Sequence, residues 1–172
     1  LKGAAAESVV YAIIIIFLYI LIRFRKWTFS AGAVAALLHD VVITLGIFTL
    51  LSDVVSFNLL IDQNIIAAFL TIVGYSLNDT VVVFDRIREN KLVHKGMDTI
   101  EMFNKSLNDT LSRTVITSLT TFFVVTILFI FGGEVLKGLS FALIIGVILG
   151  TYSSLFVASP LVLELDTKKT TK

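Results

Sequence analysis

The feature that most restricts this 172-residue chain is the spacing of its apolar runs. A helix needs about 20 predominantly apolar residues to cross a hydrocarbon core of roughly 30 Å. Windows of that kind fall at residues 5–22, 29–51, 65–84, 115–131 and 139–163. A soluble domain of this size could not bury them all: 56% of the residues are hydrophobic, proline occurs once, and the mean hydropathy is +0.95. The chain therefore reads as a single all-α integral membrane domain over residues 1–172, with five transmembrane helices. The absence of cysteine excludes disulfides and thiolate metal sites. The sequence opens Leu1-Lys2-Gly3, with no initiator methionine and no signal-peptide pattern in the first apolar run, so the expectation is a piece that starts mid-protein.

Charge placement orients the spans. Arg23, Arg25 and Lys26 lie in the first loop. Arg86, Arg88, Lys91, Lys95, Lys105 and Arg113 lie in the third, and Lys168, Lys169 and Lys172 in the tail; only Lys2 and Lys137 fall on the other side. Positive loops stay in the cytosol, which predicts a cytoplasmic C-terminus and an outward-facing N-terminal end. The outer loop at 52–64 is short and acidic, with Asp53 and Asp62.

The loop at 85–114 is too polar to insert. After an Asp98-x-x-Glu101 start signal, Ile100, Phe103, Leu107 and Leu111 share one helical face, predicting an amphipathic helix on the cytoplasmic surface, entered past Gly96. Its basic residues suit anionic head groups. The last span carries Gly138, Ala142, Gly146, Gly150 and Ser154, a small residue at every fourth position. Such a ladder predicts a seam where another helix approaches backbone to backbone, against the plainer reading of general small-residue enrichment.

A charged aspartate at the bilayer centre costs about 2.5 to 3.5 kcal/mol, so carboxylates within spans are site candidates. Asp40, beside His39 in the second span, and Asp79 in the third are the two clear ones. At 100° per residue, Thr71, Gly74, Tyr75, Asn78 and Asp79 share a face, with Leu70, Val73, Leu77, Val81 and Phe84 predicted toward lipid. Asp79 lies about 7.5 Å above the cytoplasmic end of its span at helical rise. Arg113, Thr114, Thr117 and Thr121 form a matching face where the fourth span begins, and antiparallel helices bring Arg113 close to the depth of Asp79. An ion pair there would balance burial, which favours the neutral acid, against a guanidinium, which favours the carboxylate. Ala33, Ala36, Asp40 and Thr44 form a narrow stripe that lets Asp40 approach a neighbouring helix, and His39 adds a group that titrates near neutral pH. Competing readings are plainer: Arg113 as a snorkelling positive-inside residue, His39 as a packed histidine, and residues 85–89 as a solvated helix end.

Leu38-His39-Asp40, the long stretch Gly74-Tyr75-Ser76-Leu77-Asn78-Asp79-Thr80-Val81-Val82-Val83-Phe84-Asp85-Arg86-Ile87-Arg88-Glu89, and Ser112-Arg113-Thr114 followed by Thr117-Ser118-Leu119-Thr120-Thr121 resemble the membrane part of SecF. SecF belongs to the SecD/SecF family, whose fold is similar to the RND transporters. The resemblance implies a six-helix bundle of which this chain holds helices two to six, as a trimmed SecF or the end of a fused SecDF. It implies a bacterial inner-membrane, multi-pass subunit of the Sec pathway that couples the proton-motive force to preprotein translocation and release. The coupling ion would be the proton, with no cofactor and no metal. The partners implied are SecD, SecYEG, YidC, the unfolded preprotein and the lipid bilayer, with no nucleic acid. Asp79 would be the titrating carboxylate and Arg113 its switchable partner. Asp40 matches the family pattern less directly, and Tyr75, Asn78 and Thr117 would support the polar face.

No phosphate-binding G-x-x-x-x-G-K-[ST] loop is present, so the expectation is a transporter subunit and not an enzyme. Rival readings are an RND-like exporter of lipids or small molecules, an intramembrane aspartyl protease using Asp40 and Asp79, and a structural subunit without proton transfer. The protease reading is the weakest, because Asp79 follows Asn78 and no glycine-containing catalytic motif surrounds it.

Overall fold

The structure, a computed structural model, describes the backbone of residues 2–55, 57, 59 and 61–170, and among these the side chains from residue 11 to residue 168. The side chains of Lys2 and Lys169, and all of Leu1 and Lys172, lie outside the described residues.

Every regular element described is helical. Helix α1 (Lys2–Phe24) turns through Arg25 and Lys26 into α2 (Trp27–Leu51). The turn is tight because Arg25 adopts a left-handed conformation (φ 54°) while its amide donates to Leu21 O at 2.8 Å, closing α1. Helix α3 (Gln63–Val93) starts at Asp62, whose carboxylate accepts from the Ile65 amide. Helix α4 (Thr99–Phe131) is followed, after Gly132 and Gly133, by α5 (Glu134–Ser153). Gly133 takes φ 73°, a value that glycine adopts without strain. A π-turn over Ser154–Ala158 then joins α5 to α6 (Ser159–Thr170).

Among the described residues, four helical stretches, α2, α3, α4 and the joined α5–α6, are long and apolar enough to cross a membrane, and the described part of α1 contributes an apolar stretch at Tyr11–Phe24. Large apolar side chains cover the outside, among them Ile15, Ile22, Val42, Leu70, Ile116, Phe123, Ile127 and Phe131. With lipid as the solvent, such a surface is expected.

The π-turn has a local cause. Pro160 cannot donate a backbone hydrogen bond, and its ring crowds the carbonyl four residues back. The widened turn relieves that crowding, and Ser159 Oγ donates to Ser154 O at 3.0 Å across it.

Packing confirms the small-residue ladder. Gly138, Ala142, Gly146, Gly150 and Ser154 are all buried. At Gly146 the Ile72 side chain fills the space a methyl group would need, and at Gly150 a methyl group would stand 3.0 Å from Ser76 Cβ and 3.3 Å from its Cα, so α3 packs directly on the glycine face of α5 and the two backbones approach at Gly150. On the other side of the bundle, a methyl at Gly32 would stand 2.6 Å from Val162, which docks α2 against α6.

Two apolar clusters result. One joins Phe24, Phe29 and Phe84, in mutual ring contact, with Ile87, Met102, Phe103, Leu155 and Val162. The other joins Phe48, Leu59, Ile65, Ile72 and Ala142. On α2, α3 and α5–α6 the residues between these clusters are small or polar: Asp40 and Thr44, Ser76, Asp79 and Thr80, Gly146, Gly150, Ser153 and Ser154. The bundle therefore has a buried polar layer between two apolar ones.

Two expectations are corrected. The segment predicted as a separate surface helix is the first part of α4, which runs unbroken from Thr99 to Phe131. Asp98 does cap it, accepting from the Ile100 amide at 3.0 Å, but between Gly96 and Gly132 no glycine or proline interrupts the helix. Its buried face is Met102, Phe103, Ser106 and Thr110, while Ile100 and Leu111 are exposed. On α3, Phe84 is fully buried in the aromatic cluster and does not face outward.

Candidate functional site

Asp40 is the most fully bonded side chain of the polar layer. It is 1% exposed, and its Oδ2 accepts from Ser76 Oγ at 2.6 Å and from Ser153 Oγ at 2.7 Å. His39 Nδ1 lies 3.0 Å from Oδ1. The carboxylate thus binds α2 to α3 and α5. Thr44 donates to the Asp40 carbonyl at 2.7 Å, turning another polar group inward on the same helix face. The approach depends on the ladder, because a side chain at Gly150 would push Ser76 away. Ser76 and Ser153 were not singled out from the sequence as ligands of Asp40. The signal for Ser153 is its place beside Ser154, the ladder's last residue; Ser76 carries none beyond lying inside the Gly74–Glu89 stretch.

Asp79 is different. It is 4% exposed, yet Oδ2 has no hydrogen-bond partner. Arg113 is near enough to act on it electrostatically, but no ion pair within 4 Å joins the two. Arg113 instead lines a cleft of about 420 Å³ with Val82, Asp85, Arg86, Glu89, Asp109 and Thr110, between α3 and the early part of α4. Asp40 and Asp79, although in the same layer, are not hydrogen-bonded to each other, and the oxygens of Asp40 are taken by Ser76, Ser153 and His39.

The predicted supporting face divides. Tyr75 points inward and donates to Ser118 Oγ at 3.2 Å, and Ser118 meets Thr151 Oγ1 at 2.6 Å, linking α3, α4 and α5. Thr117 spends its hydroxyl on its own helix, donating to Arg113 O at 2.8 Å. Asn78 and Thr71 are exposed. The buried face of α3 is Ala68, Ile72, Ser76, Asp79, Thr80 and Val83, rotated from the predicted stripe because it follows the glycine face of α5.

Ion pairs gather the basic loops at one end. Arg23 meets Asp85 at 2.8 Å, and Lys26 and Lys91 reach Asp166 at 3.0 and 3.6 Å. Arg86 pairs with Asp109 at 2.9 Å, and Asn90, buried, donates to Ser106 at 2.9 Å and to Asp109 at 3.2 Å. Lys137, from the opposite side by charge placement, pairs with Glu134.

These observations define a class, a multi-pass helical membrane protein with two buried aspartates in a polar layer between apolar ones. A family model described as "Protein export membrane protein SecD/SecF, C-terminal" matches residues 1–168, and the chain belongs to that family, as the C-terminal part of SecF. It is 66% identical over 165 residues to the protein translocase subunit SecF of Rhodothermus marinus, covering 96% of this chain and 53% of that protein. It is 46% identical over 174 residues to the SecF of Petrotoga mobilis, covering 100% and 55%. The chain thus spans about half the length of the curated relatives it matches. Two crystal structures of SecDF are similar to it. One, in a super-membrane-facing form, has a TM-score of 0.89 at 41% identity, covering 99% of this chain and 22% of that one. The other, from Thermus thermophilus, is described as translocon-associated and gives 0.83 at 43% identity, covering 95% and 22%.

Proposed function

We propose that the chain is the membrane part of a Sec export subunit that couples inward proton flow to the translocation and release of preproteins, with Asp79 as the titrating carboxylate and Arg113 as its partner. The observation that carries this is the buried, unpartnered Oδ2 of Asp79 in a membrane-spanning helix, beside a guanidinium that faces a charged cleft. A carboxylate so placed lacks the hydrogen bonds that would fix it in one ionisation state. Protonation would free Arg113 for the cleft, and deprotonation would draw it back.

In this reading SecD, or the SecD half of a fused chain, completes the bundle, and SecYEG and YidC are partners in the bacterial inner membrane. The loop after α1, the α3–α4 connection and the C-terminus lie in the cytosol, as the clustering of basic residues supports.

The test is Asp79→Asn in the full-length protein, assembled with SecD in inverted membrane vesicles. Proton-driven preprotein release is expected to fall to the level seen without a proton gradient. Release at the wild-type level would overturn the assignment. If release persisted and crosslinking captured amphiphiles in place of secretory chains, the exporter reading would replace it.

A further inference from the structure

A second unpartnered group stands level with Asp79. Thr114 is 1% exposed and its Oγ1 has no hydrogen-bond partner. That is unusual on this helix, because Thr110, Thr117, Thr120, Thr121 and Thr126 each donate to a carbonyl of α4 itself.

The register of the two helices follows from their contacts. Tyr75 on α3 reaches Ser118 on α4, and further along Arg86 reaches Asp109 and Asn90 reaches Ser106. The helices are antiparallel, so one turn on from Tyr75 and one turn back from Ser118 bring Asp79 and Thr114 to the same level. Thr114 belongs to the buried stripe of α4 that includes Ser106, Thr110 and Ser118, two of which already bond to α3. One turn further toward the basic end, Val82, Thr110 and Arg113 line the cleft.

We propose that Asp79 Oδ2 and Thr114 Oγ1 hold a water molecule between them, and that the α3–α4 cleft is the mouth through which protons leave Asp79 for the cytosol. Two buried polar atoms without partners make a place where a bridging water is stabilised. This rests on the reading of Asp79 as the titrating group. The step balances without a co-reactant. The Asp79 O–H bond breaks as a new O–H bond forms on the bridging water, and that water passes its excess proton to the water of the cleft. Asp79 is left as a carboxylate beside Arg113. Thr114 keeps its own hydroxyl proton and orients the water, which makes it a positioning residue. The ionisable groups at the mouth are Asp85, Arg86 and Glu89 from α3 and Asp109 and Arg113 from α4. The third packed helix, α5, has no ionisable side chain from Gly138 to Thr151.

The experiment compares Thr114→Val, Thr114→Ser and Asp79→Asn in the full-length protein with SecD, reconstituted in proteoliposomes and read by an entrapped pH dye. Thr114→Val, which keeps the shape and removes the hydroxyl, is expected to lower proton flux by about tenfold, the upper worth of one hydrogen bond. Thr114→Ser is expected to restore the flux. Wild-type flux in Thr114→Val would overturn the bridge and leave the Asp79 assignment standing, whereas wild-type flux in Asp79→Asn would overturn that assignment itself. In a cysteine-free background, Val82→Cys treated from the cytosolic side with a small charged thiol reagent is expected to block flux. If the cysteine is labelled and flux is unchanged, or if it resists labelling, the cleft is not the mouth.

Discussion

Ser153 Oγ donates to Asp40 Oδ2 at 2.7 Å, joining residues 113 positions apart across the centre of the bundle. Ser76 donates to the same oxygen from α3. Asp40 therefore works as a three-helix clamp, one carboxyl oxygen of α2 accepting a hydroxyl proton from α3 and another from α5.

Replacing Asp40 by alanine leaves the buried Ser76 hydroxyl unpaired and Ser153 with only the Gly150 carbonyl of its own helix, at 3.3 Å. A buried hydroxyl left without its partner costs about 1 to 3 kcal/mol, so Asp40→Ala is expected to lower stability by about that amount. Asp40→Asn should lose less, since the amide oxygen still accepts. Thermal unfolding in detergent measures the difference; an unchanged midpoint for Asp40→Ala would remove the clamp from the account.

Gly146→Ala is expected to be more damaging than Gly150→Ala. The first methyl would stand 2.2 Å from Ile72 and the second 3.0 Å from Ser76. Overpacking of this kind costs about 1 to 3 kcal/mol. Shortening Ile72 to alanine in the Gly146→Ala background should recover part of the loss, a coupling that a double-mutant cycle reads directly.

At the basic end, Asn90→Ala removes a buried donor shared by Ser106 and Asp109. The expected cost is about 1 kcal/mol. Hydrogen exchange should speed up locally, around residues 90–106, and leave the polar layer unchanged. A uniform increase across all helices would show that the hairpin tip is not an independent unit.

Arg113→Lys and Arg113→Gln separate charge from shape. A point charge on a flexible stem should retain part of proton-driven release, while the neutral amide should lose most of it. Equal activity for Arg113→Gln and the wild-type chain would reduce Arg113 to an interfacial anchor.

Much of this architecture was legible in the sequence for physical reasons. Apolar windows have to match bilayer thickness, and the ladder from Gly138 to Ser154 can serve close helix contact because no other residues let backbones meet. The Asp98 cap was equally plain. The phase of α3 was not. Periodicity shows that Tyr75, Asn78 and Asp79 lie near one face, but which part of that face is covered depends on where α5 stands, and the glycines of α5 select Ser76. Asn78 therefore turns outward and Phe84 inward. The segment after Asp98 misled for another reason: its polarity argues against insertion, but polarity alone does not end a helix, and α4 continues for want of a breaker. The absence of an Asp79–Arg113 ion pair could not have been read from spacing at all, since matching depth brings two groups near each other without making them touch.

The π-turn at 154–158 inserts an extra residue into one otherwise continuous helix. Its effect is rotational. Before the turn, the helix shows its glycines to α3; at its last residue, Ala158, and beyond it, at Val162, the helix meets Gly32 of α2. A single proline thus gives one rod two headings, so that the half facing the polar layer and the half closing the basic end can each be fitted to a different neighbour.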